Sequence, residues 1–478
     1  MASKSTLNAK NLETLGAERL AELLIEISTG SAVAKRRLRL ELAGAQSPKG
    51  AGREVAKRLT SIARARTFVN WQNRKPLVTD LESQLRAIRD QIAPADPVEG
   101  LALTWRFMQV ATPLFERCDD SSGIVIGVFH DACALLGEIA VAAGTPPDAL
   151  ADAVLEALHD NGYGQYDGLI AILTPALGAE GLGHLKQRIE ALAVKPIPVP
   201  PKGEWQAVAY GSGGATYAHQ MEERARQSMV RMALKDIADA MGDVDAFIAQ
   251  YEPATRKVPK IAAEIAARLL AAGRAKDALG FIERAEVDNS RWVPHEWQDA
   301  RLEVLEALDR KDEAQAFRWA CFKRDLSPDH LRTFLKRLPD FEDIEAEERA
   351  MAHAAAHPGL VPALGFFLDW PSPDLAARLL TDRHSELDGN HYEILTLAAE
   401  ALSERYPLAA TLALRAMIDF TLTAARSKRY GYAAQHFAEC TELASKIDDF
   451  EAFETHDVYV ARLKAQHGRK YSFWEHSG

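Results

Sequence analysis

Apolar residues return every three to four positions almost from one end of this chain to the other, and that period restricts the fold more than any motif does. In AERLAELLIEIS (17 to 28), Leu20, Leu23, Leu24 and Ile27 fall at i, i+3, i+4 and i+7, the spacing of one buried helix face. GREVAKRLTSIARARTF (52 to 68) does the same with Val55, Leu59, Ile62 and Ala63. Comparable spacings run through 100 to 117, 124 to 142, 148 to 159 and 183 to 193. The strict alternation of a half-buried strand is nearly absent. The spacing therefore predicts an all-α protein, with a helical bundle or α-hairpin N-terminal half and a tetratricopeptide-like (TPR-like) α-solenoid C-terminal half.

A break in the pattern divides the two. Pro196, Pro198, Pro200 and Pro201 in VKPIPVPP force an extended, semi-rigid path, and GSGG (211 to 214) then frees the backbone. Residues 194 to 216 read as a linker between a helical domain, 1 to 193, and a repeat domain, 217 to 478. Within the latter, RAKDALGF (274 to 281) and RKDEAQAF (310 to 317) match at Arg, an acidic residue, Ala and Phe with an offset of 36 residues. YGYAAQHF (430 to 437) keeps the Ala and the Phe. A period in the mid-thirties is that of TPR-like hairpins: the small Ala lets two helices approach, and Phe281, Phe317 and Phe437 fill the gap to the next pair. With 478 residues, 47% of them hydrophobic, the chain is long enough for two or more cores.

Charge is unevenly distributed. The first 93 residues hold 17 Lys and Arg against 9 Asp and Glu, a net of +8, inside a chain whose overall charge is -11. The basic segments are AKRRLRL (34 to 40) and REVAKRLTSIARARTFVNWQNRK (53 to 75). In the second, Arg64, Arg66, Arg74 and Lys75 surround Phe68 and Trp71. Interleaved cations and aromatics suit phosphate neutralisation together with base stacking, which makes nucleic acid a possible partner. Against it stand a solvated helix face with Phe68 and Trp71 in the core, and a contact with the chain's own acidic remainder.

Other chemistry-bearing stretches read as structure. In CDDSSGIVIGVFHDAC (118 to 133), Asp120, Ser121 or Ser122 precedes an apolar run and suits a helix start, while the glycine and glutamate positions of a calcium loop are wrong. His353 and His357 share a helix face as two metal ligands would, but Ala354 stands where a zinc protease needs its glutamate, and no third ligand is evident. No P-loop, nucleophile elbow, kinase set or paired-cysteine zinc signature is present, so no cofactor or catalytic residue is assigned. HDNGYGQYDGL (159 to 169) is a glycine-rich loop whose Tyr163, Gln165, Tyr166 and Asp167 are candidate partner contacts, the alternative being tyrosines wedged between helix pairs.

Four scattered cysteines without CxxC spacing fit a reducing cytoplasm. The polar MASKSTLNAK start resembles neither a secretory signal nor an anchor, and no uninterrupted run of about 18 apolar residues that would span a membrane is expected.

The stretches LNAKNLETLGAERLAELLIEI, REVAKRLTSIARARTFVNW, FERCDDSSGIVIGVF, NGYGQYDGLI, PLAATLALRAMIDFTL and KRYGYAAQHFAEC resemble a bacterial family of unknown function, DUF6880, over nearly the whole chain. That resemblance implies an all-helical cytoplasmic protein and no particular activity. HFAEC and HGRKYSFW are also similar to the helical region of bacterial SWIM zinc-finger proteins, whose Cys and His zinc motif is missing here. The expectation from all of this is a non-enzymatic scaffold for another protein, with nucleic-acid association through the basic front as the alternative and oligomeric state left open.

Overall fold

A computed structural model describes residues 6–211, 214–288 and 293–476. Residues 1–5 of the polar N-terminus, and Ser212 and Gly213 of the GSGG stretch, lie outside the described residues. The chain forms two compact units, Met1–Arg256 and Lys257–Gly478. Helices are the dominant element of both.

The first unit runs α1 (Ala9–Glu13), α2 (Gly16–Ser28), α3 (Ala32–Gln46), α4 (Pro48–Arg64), α5 (Arg74–Ala87), α6 (Pro97–Met108), α7 (Ala111–Phe115), α8 (Ile124–Ala143), α9 (Pro147–His159) and α10 (Leu169–Val194). After α10 come the strands β1 (Ala207–Gly211) and β2 (Gly214–Tyr217), then α11 (Ala218–Ala240) and α12 (Val244–Ala249). Local chemistry explains the starts. Ser47 accepts from the Gly50 N–H at 3.1 Å ahead of Pro48, and Asp120 takes the Val125 and Ile126 N–H groups at 3.0 and 2.8 Å to open α8. Leu59, Leu81, Phe107, Phe129, Leu136 and Leu173 are buried in one core, which also contains Ile237 of α11.

Three expectations change here. Because α11 packs on α10 and shares its core, residues 194 to 216 join two parts of one unit, and the division between units falls after Arg256. That stretch also carries structure: β1 and β2 pair antiparallel with Tyr210 opposite Ala215, and the Trp205 ring packs on Tyr217 at 4.9 Å. Second, α2 does not bury the face its periodicity marks: Leu24 and Ile27 are exposed and Leu20 and Leu23 half-buried, because no neighbouring element covers that side. Third, Ile124–Ala143 is long and apolar enough to cross a membrane; half of it is buried, and it packs against α5, α6 and α10.

The second unit opens with two helical hairpins, α13 (Pro259–Ala271) with α14 (Ala275–Arg284), and α15 (His295–Ala307) with α16 (Lys311–Asp325). Both close the same way. Gly273 and Asp309 adopt φ of 72° and 57°, and the next residue donates backward, Arg274 N to Leu269 O at 2.7 Å and Arg310 N to Leu305 O at 2.9 Å. A left-handed residue followed by this long backward bond satisfies carbonyls that the helix end would otherwise strand. Arg274 then pairs with Asp277 and Arg310 with Glu313. Ala278 and Ala314 are both fully buried at the positions that the 36-residue offset aligns. Nine further helices follow, from Pro328–Leu335 to Tyr471–His476 among the described residues.

Candidate functional site

The site grows out of α4. Its Ala51, Val55, Leu59 and Ile62 are buried, whereas Lys57, Ser61 and Arg64 are exposed. The helix ends at Arg64, four residues before the periodicity suggests, because the chain is drawn off by a distant segment. Val69 N donates to Arg117 O at 2.8 Å and Asp119 N to Val69 O at 3.1 Å. The Arg117 guanidinium donates to Ile62 O at 2.9 Å and to Thr67 O at 3.0 Å, satisfying a carbonyl of the last turn of α4.

This clamp puts the aromatics outside. Phe68 is 62% and Trp71 65% exposed, so the reading that buries them in the core is overturned. Arg64, Arg66 and Lys75 are exposed beside them, and none of the three forms an ion pair among the described residues. Arg74 differs: it is half-buried and donates to Ser122 Oγ at 2.9 Å. Its charge also acts on Asp119, whose carboxyl is held below the usual range first by the Ser121 N–H and hydroxyl and then by Arg74. Of the four predicted cations, three thus lie exposed in or at the ends of this loop, with Trp71 between them, and Arg74 is a structural brace.

Beside this loop α3, α4 and α5 enclose a pocket of about 190 Å³, lined by Arg36, Arg39, Lys57, Arg58, Ser61 and Gln84 together with Leu40 and Glu54. Its anchor is Asp80, only 4% exposed, whose Oδ2 accepts from Arg58 Nε at 2.9 Å, Arg58 Nη2 at 2.5 Å and Arg36 Nη2 at 3.1 Å. Gln84 donates to Oδ1 at 3.3 Å. AKRRLRL is visibly basic in the sequence, but nothing in it marks Asp80 or Gln84 as the groups that turn Arg36 and Arg58 into a pocket wall.

The glycine-rich loop is braced from within. Gln165 is 0% and Tyr166 3% exposed, so neither meets a partner at the surface, and these two contact assignments are corrected. Gln165 bonds back to Asp160 O and accepts the Tyr163 N–H at 3.1 Å, and the Tyr166 N–H donates to Asn161 Oδ1 at 2.8 Å. Tyr163 stacks on Phe115 with centroids 5.0 Å apart and keeps one side exposed, as does Asp167.

His353 Nε2 meets Lys323 O at 2.9 Å and His357 Nδ1 meets Gly359 O at 3.1 Å, two different backbone carbonyls. Among the described residues no three His, Cys, Asp or Glu side chains converge in a group that could hold a metal ion. Burial pushes the Cys133 thiol up to about 12 and Cys440 to about 12, far from a nucleophile's range. The second unit has a cavity of about 780 Å³ lined by Arg415, Asp419, Phe453 and Arg462. Arg462 pairs with both Asp419 and Glu454 at 3.0 Å, and the Arg415 guanidinium lies 4.4 Å over the Tyr459 ring.

No curated protein matches the sequence. Residues 2–476 match a family of unknown function, DUF6880, and with nearly its whole length covered the chain belongs to that family.

Proposed function

We propose that this is a non-enzymatic binding protein that holds single-stranded nucleic acid on the exposed loop that follows α4. The observation that carries the reading is the exposure of Phe68 and Trp71 among Arg64, Arg66 and Lys75. Two large aromatics held out in water cost hydrophobic free energy, and a base stacked on each recovers it while the cations take the flanking phosphates. The basic first 93 residues of the chain steer a polyanion toward this face. The test is retardation of a labelled single-stranded oligonucleotide at 50 mM and at 200 mM salt. Binding that weakens steeply with salt supports the reading, and no retardation at the lower salt ends it.

A second reading is a scaffold for another protein, with the second unit as a TPR-like solenoid and the cytoplasm as its compartment. Its support is the uncovered apolar face of α2, where Leu24 and Ile27 are exposed. An amphipathic helix is the partner such a stripe suits. A Leu24→Asp, Ile27→Asp variant should lose a stoichiometric protein captured by the native chain from its own host; equal capture by both excludes this face.

A further inference from the structure

We infer that the pocket between α3, α4 and α5 takes the terminal phosphate of the strand, a phosphate monoester, and does not simply add to a diffuse basic surface. The inference rests on the nucleic-acid reading above and names the group that anchors it. Four cations, Arg36, Arg39, Lys57 and Arg58, face two carboxylates, Glu54 and the buried Asp80, which leaves the site at +2. A phosphate monoester carries close to two negative charges at neutral pH, whereas each internal phosphodiester carries one. The end of a strand therefore matches the pocket's charge, and an internal link does not.

Geometry agrees with charge. Asp80 fixes Arg58 through two of its nitrogens and Arg36 through one, so both guanidiniums are held in place before a ligand arrives. Arg36 Nε is buried with no hydrogen-bond partner, a donor still unused. The Ser61 hydroxyl, which accepts from Arg58 Nη1 at 3.3 Å, has its own proton left to give. A volume of about 190 Å³ admits a phosphate group and little beyond it, and Glu54 discourages a second anion. Lys57, Ser61 and Arg64 follow one another at four and three positions along α4 and share its exposed face. From Lys57 to Arg64 the helix rises about 10 Å, so a strand anchored in the pocket reaches the loop bearing Phe68 and Trp71 within a short extended stretch.

The experiment compares three internally labelled oligonucleotides of one sequence, ending in a 5′-phosphate, a 3′-phosphate or hydroxyls only, by fluorescence anisotropy with the full chain. One phosphorylated form is expected to bind about tenfold more tightly than the hydroxyl form, the size of effect that charge-assisted hydrogen bonds produce. In an Arg39→Ala, Lys57→Ala variant that preference should vanish; both side chains are exposed and neither bonds Asp80, so the fold is retained. Equal affinity for all three oligonucleotides overturns the terminal-phosphate site and leaves the nucleic-acid reading standing. Preference unchanged in the variant also overturns it, and failure of all three to bind at 50 mM salt removes both.

Discussion

Replacing Arg64, Arg66 and Lys75 by alanine and, separately, Phe68 and Trp71 by alanine should change two different quantities. The three cations are exposed and, among the described residues, in no ion pair, so each is free to neutralise one phosphate. On a single strand each such contact contributes about 0.7 to the slope of log affinity against log salt, so the triple variant should flatten that slope by about 2. Raising salt fourfold, from 50 to 200 mM, should then cost the native protein about 20-fold more affinity than the variant. The aromatics act through stacking, worth about 1–3 kcal/mol for each base, or roughly five- to 150-fold in affinity, with the slope unchanged. Anisotropy titrations at four salt concentrations read both quantities. Exposed positions such as these alter stability by no more than about 0.5 kcal/mol, so a binding change is not a folding change. Should the aromatic variant flatten the slope, or the charge variant lower affinity equally at all salts, the division of labour argued from the exposed loop is wrong.

Asp80→Ala leaves Arg58 and Arg36 facing each other. A fully buried broken pair costs about 3–5 kcal/mol, but these arginine side chains are 23% and 34% exposed, so solvent reduces the expected loss to about 2–3 kcal/mol, read as a lower urea midpoint. An unchanged midpoint would mean the cluster does not organise the helices. Ala314→Leu forces a larger side chain among Leu302, Leu305 and Phe317 and should destabilise by about 1–3 kcal/mol in thermal unfolding; tolerance would show that α15 and α16 are not in close approach there. Of the four thiols, Cys133, Cys321 and Cys440 are buried and pushed up to about 12, 11 and 12, and only the half-buried Cys118 is near solvent. A thiol-specific disulfide reagent at pH 8 should therefore modify at most one group in the native protein and four after denaturation, and rapid reaction of two or more in the native state contradicts this burial.

The helices were legible in the order of residues because their causes are local. A backbone bond reaches four residues back, an apolar face repeats every three to four, and a cap such as Asp120 or Ser47 acts within one turn. The same locality makes the hairpin echo of RAKDALGF and RKDEAQAF readable, since the turn, the arginine and the buried alanine lie within ten residues. Exposure has no such local cause. Phe68 and Trp71 sit outside because Arg117 and Asp119, some fifty residues on, take hold of Thr67, Ile62 and Val69. The apolar stripe of α2 is uncovered because no other segment comes to meet it, and Tyr166 is buried because it joins the core beside Trp105, sixty-one residues earlier in the chain. Helical identity, then, belongs to short-range hydrogen bonding that the residue order alone determines. Which face meets water, where one unit ends, and which charges gather around Asp80 were decided only when distant segments packed, because burial is a property of a pair of surfaces and not of either one.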